Sequence, residues 1–240
     1  MLLAVRFDQP MIWAVLIGWI LSVILHELAH GVVAYWGGDY TIRQRGGLTL
    51  NPLQYVDPFG SIVLPIIFLL LGGIPLPGGV TYVRRDLLRS RNWEAAMSAA
   101  GPAMNVLLFF VCALPLHPMF HWIDPNVPGE QLPNTAVFLG AMAVLQIVAA
   151  LFNLVPIPPL DGFNILGAYM NHDLRRKLAG PPVGMFLFIA FFVLLWRAPD
   201  LMDFIYHQVV ERLLSLIGFD YSRQDLVRRS FNIALFGSSG

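Results

Sequence analysis

The stretch MIWAVLIGWILSVILHELAHGVVAYW, residues 11–36, decides the reading of this chain. As an α-helix it runs about 39 Å, enough to cross a hydrocarbon core of about 30 Å with some tilt. Yet its second half carries His26, Glu27 and His30 among aliphatic side chains. A charged group at the centre of a membrane helix costs about 2.5–3.5 kcal/mol on insertion scales, so three such residues in one span call for a ligand or a partner. His26 and His30 are four residues apart and share one helix face, which lets both imidazoles converge on one ion. Glu27, one residue on, is placed to reach what the ion holds. Chance gives this H-E-x-x-H spacing in only roughly three comparable sequences per thousand, so a polar cluster that merely ties helices together is the weaker reading.

The rest of the composition agrees with a membrane protein. Of 240 residues, 57% are hydrophobic and 12% charged, and the mean hydropathy is +0.65. Soluble domains carry about 25% charged residues. Fifteen basic and fifteen acidic side chains cancel, so no overall field points to nucleic acid or an acidic substrate. The single cysteine, Cys112, excludes an intramolecular disulfide framework. The first apolar run is too long for a cleavable signal peptide.

Further spans are expected at 59–74, 93–115, 135–152 and 183–197, each bounded by Pro, Gly or charge. Residues 201–219 place Asp203, His207, Glu211 and Ser215 on one helical stripe, which suits either a sixth span facing the bundle or a surface helix. The expected fold is thus an all-α polytopic membrane protein of about six transmembrane helices, a single domain over 1–220 followed by a polar tail, 221–240, that ends in a flexible FGSSG. Basic residues cluster at Arg84, Arg85, Arg89 and Arg91 and again at Arg175, Arg176 and Lys177, whereas 117–134 holds Asp124 and Glu130 and no Lys or Arg. The positive-inside rule makes the two basic loops cytoplasmic and, with two spans before the first of them, puts the N-terminus inside as well. Arg223, Arg228 and Arg229 favour a sixth crossing on the same rule. Two stretches depart from helix: GGLTLNPLQYV, 46–56, reads as a β-hairpin or re-entrant strand, and GGIPLPGGV, 72–80, as a Gly/Pro loop.

A zinc hydrolase needs a third protein ligand and an open position for water. His117, His121 and His172 read as ordinary loop histidines, His207 is a weak competitor on the amphipathic stripe, and Asp57, before Pro58, reads as a turn residue. Asp161 closes FNLVPIPPLDG, 152–162, where Pro156, Pro158 and Pro159 prevent a continuing helix. An extended chain there aims Asp161 back into the bundle; a turn-forming Asp-Gly pair is the competing reading.

HELAH in a first span followed by NLVPIPPLDG in a later one resembles the site-2 protease family of intramembrane zinc metalloproteases, with LTLNPLQYVDPFG and AAGPAMN, 99–105, as further similar segments. The resemblance covers roughly residues 12–170 and lacks the PDZ-like insert and nucleotide-binding domain of some members. It implies one zinc per chain held by His26, His30 and Asp161, with Glu27 as general base and acid. It further implies that Asn153 holds substrate or the oxyanion, for which a helix-terminus cap is the alternative. The implied substrate is a transmembrane protein in the bilayer of a prokaryotic plasma membrane, and oligomeric state stays open. The 46–56 segment is a candidate edge for an unwound substrate, or else a loop covering the site. A metal-binding scaffold without catalysis and an ion path are the competing functional classes; an intact Glu27 argues against the first.

Overall fold

The computed structural model describes residues 10–63, 66, 78–122, 132–197, 212 and 215. Seven α-helices occur among them: α1 (Pro10–Gly37), α2 (Thr41–Gln44), α3 (Arg91–Ala113), α4 (Asn134–Asn153), α5 (Asp161–Gly167), α6 (His172–Ala179) and α7 (Val183–Arg197). Three are long and apolar enough to cross a membrane: α1, α3 with its 3-10 extension to Leu116, and α4. They coincide within two residues with the expected spans at 11–36, 93–115 and 135–152; α7 is a helix where a span was expected at 183–197, but at 15 residues it is not one of the three candidate spans. The apolar runs are continuous and their ends are marked. Ser90 caps α3 by accepting from the Trp93 N–H at 3.3 Å, and Pro133 precedes α4.

The core lies where α1, α3 and α4 meet, with Val15, Phe109, Ala113, Ala141, Val144 and Leu145 buried together. Lipid tails are as apolar as these side chains, so association rests on close packing rather than on escape from water. The composition of α4 suits this: Ala136, Gly140, Ala141, Ala143, Ala149 and Ala150 are all buried and let neighbouring backbones approach. Gly18 of α1 takes up Met142 there.

Both ends of the segment between α1 and α3 lie on one face. The Arg89 N–H donates to the carbonyl of Gly37, the last residue of α1, at 2.8 Å. Asp39, fully buried, accepts from the Arg84 N–H at 2.8 Å, from Arg45 Nη2 at 2.7 Å and from Thr41 Oγ1 at 2.5 Å. Burial pushes its carboxyl up, but these three donors together hold it below the ordinary carboxylate value. Glu94 joins the two basic loops, accepting from Arg85 Nη1 at 3.0 Å and Arg175 Nη1 at 2.7 Å. The basic clusters therefore share a face, as expected, but that face is at the C-terminal end of α1. By the positive-inside rule a cytoplasmic basic face would put the Pro10 end of α1 on the opposite side, against the expected inside N-terminus. The expectation assumed a one-way crossing by 59–74. Gly60 and Gly78, however, lie at one level, the Gly78 N–H donating to the Gly60 carbonyl at 2.9 Å.

The β-hairpin or strand expected at 46–56 is also not found. The described residues contain no strand, and this segment is a run of turns with a 3-10 turn at Pro52–Gln54. Local bonds have taken the place of a ladder: Asn51 Oδ1 accepts from the Leu53 N–H at 3.1 Å, and Tyr55 Oη donates to the Thr49 carbonyl at 2.7 Å. Gly46 is left-handed at φ 79°, and the Gly47 carbonyl packs directly on Gly31 of α1, one residue beyond His30. Pro58–Val63 winds as a π-helical turn whose start is capped by Asp57 Oδ2 on the Gly60 N–H at 2.8 Å, which gives Asp57 the structural role expected of it. Most of 59–74 and of 72–80, Asp124 and Glu130, the 201–219 segment apart from Arg212 and Ser215, and the 221–240 tail lie outside the described residues. The six-span count is left at three candidate spans among those described.

Candidate metal centre

α1 delivers His26 and His30 to one face, and both imidazoles point at α3. Their Nε2 atoms are 3.1 Å apart, and Asp161 Oδ2 lies 3.2 Å from the first and 3.3 Å from the second. Three ligand-type atoms thus form a nearly equilateral triangle. Zinc at about 2.0–2.1 Å from each nitrogen or oxygen in a tetrahedral site separates its ligands by about 3.3 Å, so the triangle has the size a zinc ion requires. All three residues are largely withdrawn from solvent, with side chains 10%, 7% and 16% exposed.

The outer nitrogens fix what the inner ones can do. His30 Nδ1 donates to the Met97 carbonyl at 2.6 Å, and a carbonyl only accepts. His26 Nδ1 lies 2.5 Å from Asn105 Oδ1, again an acceptor. Each neutral imidazole therefore carries its proton outside and turns the lone pair of Nε2 inward, as metal-ligating histidines do. With both imidazoles neutral, two nitrogen lone pairs and a carboxylate oxygen then face one another, an arrangement suited to a cation. Room for one is built in by α3: a Cβ on Gly101 would strike Nε2 of both histidines, so glycine at this position keeps the centre open. The donor set, two imidazoles and a carboxylate, fits zinc.

Asp161 arrives differently from the extended approach expected of its proline-rich lead. α4 ends at Asn153, and 154–160 fold into consecutive tight turns, with the Ile157 N–H on the Val155 carbonyl at 2.8 Å and the Leu160 N–H on the Ile157 carbonyl at 2.9 Å. Asp161 is then the first residue of α5, against α3. Glu27 is buried beside the histidines, and the ligand-type atoms of His26, Glu27 and His30 lie within 4.8 Å of one another. Asn153 is half-buried at the end of α4, and its side chain has no hydrogen-bond partner among the described residues. His117 and His121 sit in an exposed turn beyond α3, and the His172 side chain is 87% exposed, all apart from the centre.

The chain at 78–84 passes directly behind Glu27. Thr81 Oγ1 donates to the Glu27 carbonyl at 3.0 Å, and Gly79 lies against the Glu27 side chain. Even-numbered residues of this segment bond inward: Gly78 and Val80 donate to the Gly60 and Tyr55 carbonyls, and the Tyr82 carbonyl accepts from Arg45. The N–H groups of Gly79, Thr81 and Val83 have no partner among the described residues. Among the described residues the unpartnered N–H groups thus alternate along 79–83 beside Glu27 rather than along 46–56.

Asn105 and Gln146, which extend the polar network outward from His26, were not among the residues singled out from the sequence. The available signal was the oddity of an Asn and a Gln inside apolar helices.

Comparison with known proteins places these features in a context. The chain is 39% identical over 168 residues, 69% of its length, to the Mycolicibacterium smegmatis protein named "Putative zinc metalloprotease Rip2", and spans 60% of that relative. It is 33% identical over 220 residues to the Mycobacterium tuberculosis protein of the same name, covering 89% of this chain and 79% of the relative. Against the Bacillus subtilis protein named "Putative zinc metalloprotease YwhC" it is 33% identical over 175 residues, 72% of this chain and 77% of the relative. No family model and no solved structure matches the chain.

Proposed function

The chain belongs to the site-2 protease family of zinc metalloproteases, and from that premise we propose that it hydrolyses peptide bonds in or beside transmembrane segments of membrane-protein substrates. The observation that carries this reading is the triangle of His26 Nε2, His30 Nε2 and Asp161 Oδ2, with edges of 3.1–3.3 Å, within the apolar bundle. His26, His30 and Asp161 would hold one zinc ion, which supplies Lewis acidity to a water and to the scissile carbonyl.

The chain's own residues do the rest. Glu27, buried next to the ligands, takes the proton of the attacking water at its carboxylate and returns it to the departing amine. The Asn153 side-chain amide, uncommitted within the described structure, donates to the developing oxyanion; such donors contribute about 3–4 kcal/mol in other hydrolases. Counting back from Gly37 at 1.5 Å per residue, His26 lies about 16 Å from the basic face, which is membrane depth. A substrate helix hides its peptide groups in its own hydrogen bonds, so it must unwind before attack. The free N–H groups of Gly79, Thr81 and Val83 offer the unwound segment a backbone edge beside Glu27.

The test compares membrane-protein fragments in cells carrying wild type or Glu27→Gln, which keeps the metal ligands and removes the base. Fragments cut within a transmembrane segment and present only with wild type are expected. Identical fragment patterns, with a substrate demonstrably present, would reject proteolysis.

A further inference from the structure

The polar chain that starts at His26 does not end at its first partner. Asn105, in α3, accepts from His26 at Oδ1 and donates through Nδ2 to Gln146 Oε1, in α4, at 2.7 Å. His26 is 8% exposed, Asn105 3% and Gln146 0%. Val144, Leu145 and Ile147, next to Gln146 in α4, belong to the buried core, and its Nε2 has no hydrogen-bond partner among the described residues. An orphaned buried donor is a standing cost, and an aliphatic residue would fill this position without it. What the glutamine contributes in return is direction.

An asparagine amide can present either end to a neighbour. If Asn105 turned its Nδ2 toward His26, Nδ1 of the imidazole would have to accept, and the proton would move to Nε2, the atom that faces His30 and Asp161. The Gln146 oxygen, which only accepts, holds the Asn105 Nδ2 on the far side and leaves Oδ1 for His26. Gln146 cannot reverse alone, because its Nε2 would then meet Asn105 Nδ2, donor against donor.

We propose that Gln146 is a positioning residue of the metal centre: acting through Asn105, it selects the His26 tautomer whose Nε2 is free to bind zinc. The inference rests on the zinc reading given above. It assigns a role to a residue in a third helix that touches neither the ion nor the substrate.

The experiment measures zinc affinity of the purified full chain in detergent by chelator competition. It uses wild type, Gln146→Met, Gln146→Glu, Asn105→Ala, the Asn105→Ala/Gln146→Met double variant and, as a packing control in the same helix, Val144→Ala. Outer partners of metal ligands typically contribute 10–100-fold in affinity. Gln146→Met, of equal length but without the acceptor, is expected to weaken zinc binding about tenfold, whereas Gln146→Glu, which keeps an accepting oxygen, stays within about threefold of wild type. Because the effect runs through Asn105, the double variant should bind no more weakly than Asn105→Ala alone. Wild-type affinity in Gln146→Met would overturn the proposal, as would full additivity in the double variant or an equal loss in Val144→Ala. If Gln146→Met fails to fold, a large loss in Gln146→Glu overturns it alone. Wild type that binds no zinc would instead reject the metal reading itself, and this inference with it.

Discussion

At the scale of single residues, the centre depends as much on an absent atom as on its ligands. Gly101 faces Nε2 of both histidines, and a methyl group there would strike both and fill the place proposed for the ion. Alanine favours a helix interior over glycine by about 1 kcal/mol, so Gly101→Ala is expected to leave the fold intact while zinc content falls at least tenfold. Metal analysis alongside circular dichroism checks this; full zinc occupancy in Gly101→Ala would contradict the geometry. The pair His26 and His30 was legible from spacing alone, because i and i+4 fix a common face before any tertiary structure is known. Asp161 needed more, since a lone Asp-Gly after prolines is equally a turn; only its pairing with HELAH in a family resemblance raised it above that. Asn105 and Gln146 were not legible. They meet across 79 and 41 residues of sequence, and no local period connects partners on three different helices.

At the scale of elements, long apolar runs specified α1, α3 and α4 closely, because length and hydropathy leave little choice inside a bilayer. Short irregular segments were read less well. The Gly and Thr of 46–56 suggested a strand, but Asn51 and Tyr55 satisfy the backbone locally, and the edge proposed for substrate lies instead at 78–84, whose composition gives no such signal. That edge carries a prediction. Thr81→Pro removes the N–H that faces outward beside Glu27 and should lower cleavage of a membrane substrate at least tenfold with zinc retained. Thr81→Val, which loses only the hydroxyl bond to the Glu27 carbonyl, should cost much less. Equal turnover in Thr81→Pro and wild type would reject substrate pairing at this edge.

At the scale of the whole molecule, α3 lies between the other two long helices and lends each something. It gives α1 the Met97 carbonyl, Gly101 and Asn105 around the histidines, packs against α4 through Phe109, and at Glu94 gathers Arg85 and Arg175 onto one face. With that face cytoplasmic, α1 would run opposite to the order read from the sequence, which took 59–74 as a crossing. Single cysteines test the orientation in a chain whose Cys112 has been replaced. A membrane-impermeant thiol reagent applied outside cells should label Pro10→Cys and spare Arg89→Cys and Arg176→Cys; protection of all three would restore an inside N-terminus. The central claim, that this bundle closes on one zinc ion through α1 and α5, is tested most directly by zinc K-edge absorption on the purified chain. The account predicts one zinc per chain with two imidazole nitrogens and a carboxylate oxygen at about 2.0–2.2 Å, and loss of that oxygen in Asp161→Ala. A zinc environment unchanged by Asp161→Ala, or proteolytic activity in preparations free of metal, would contradict it.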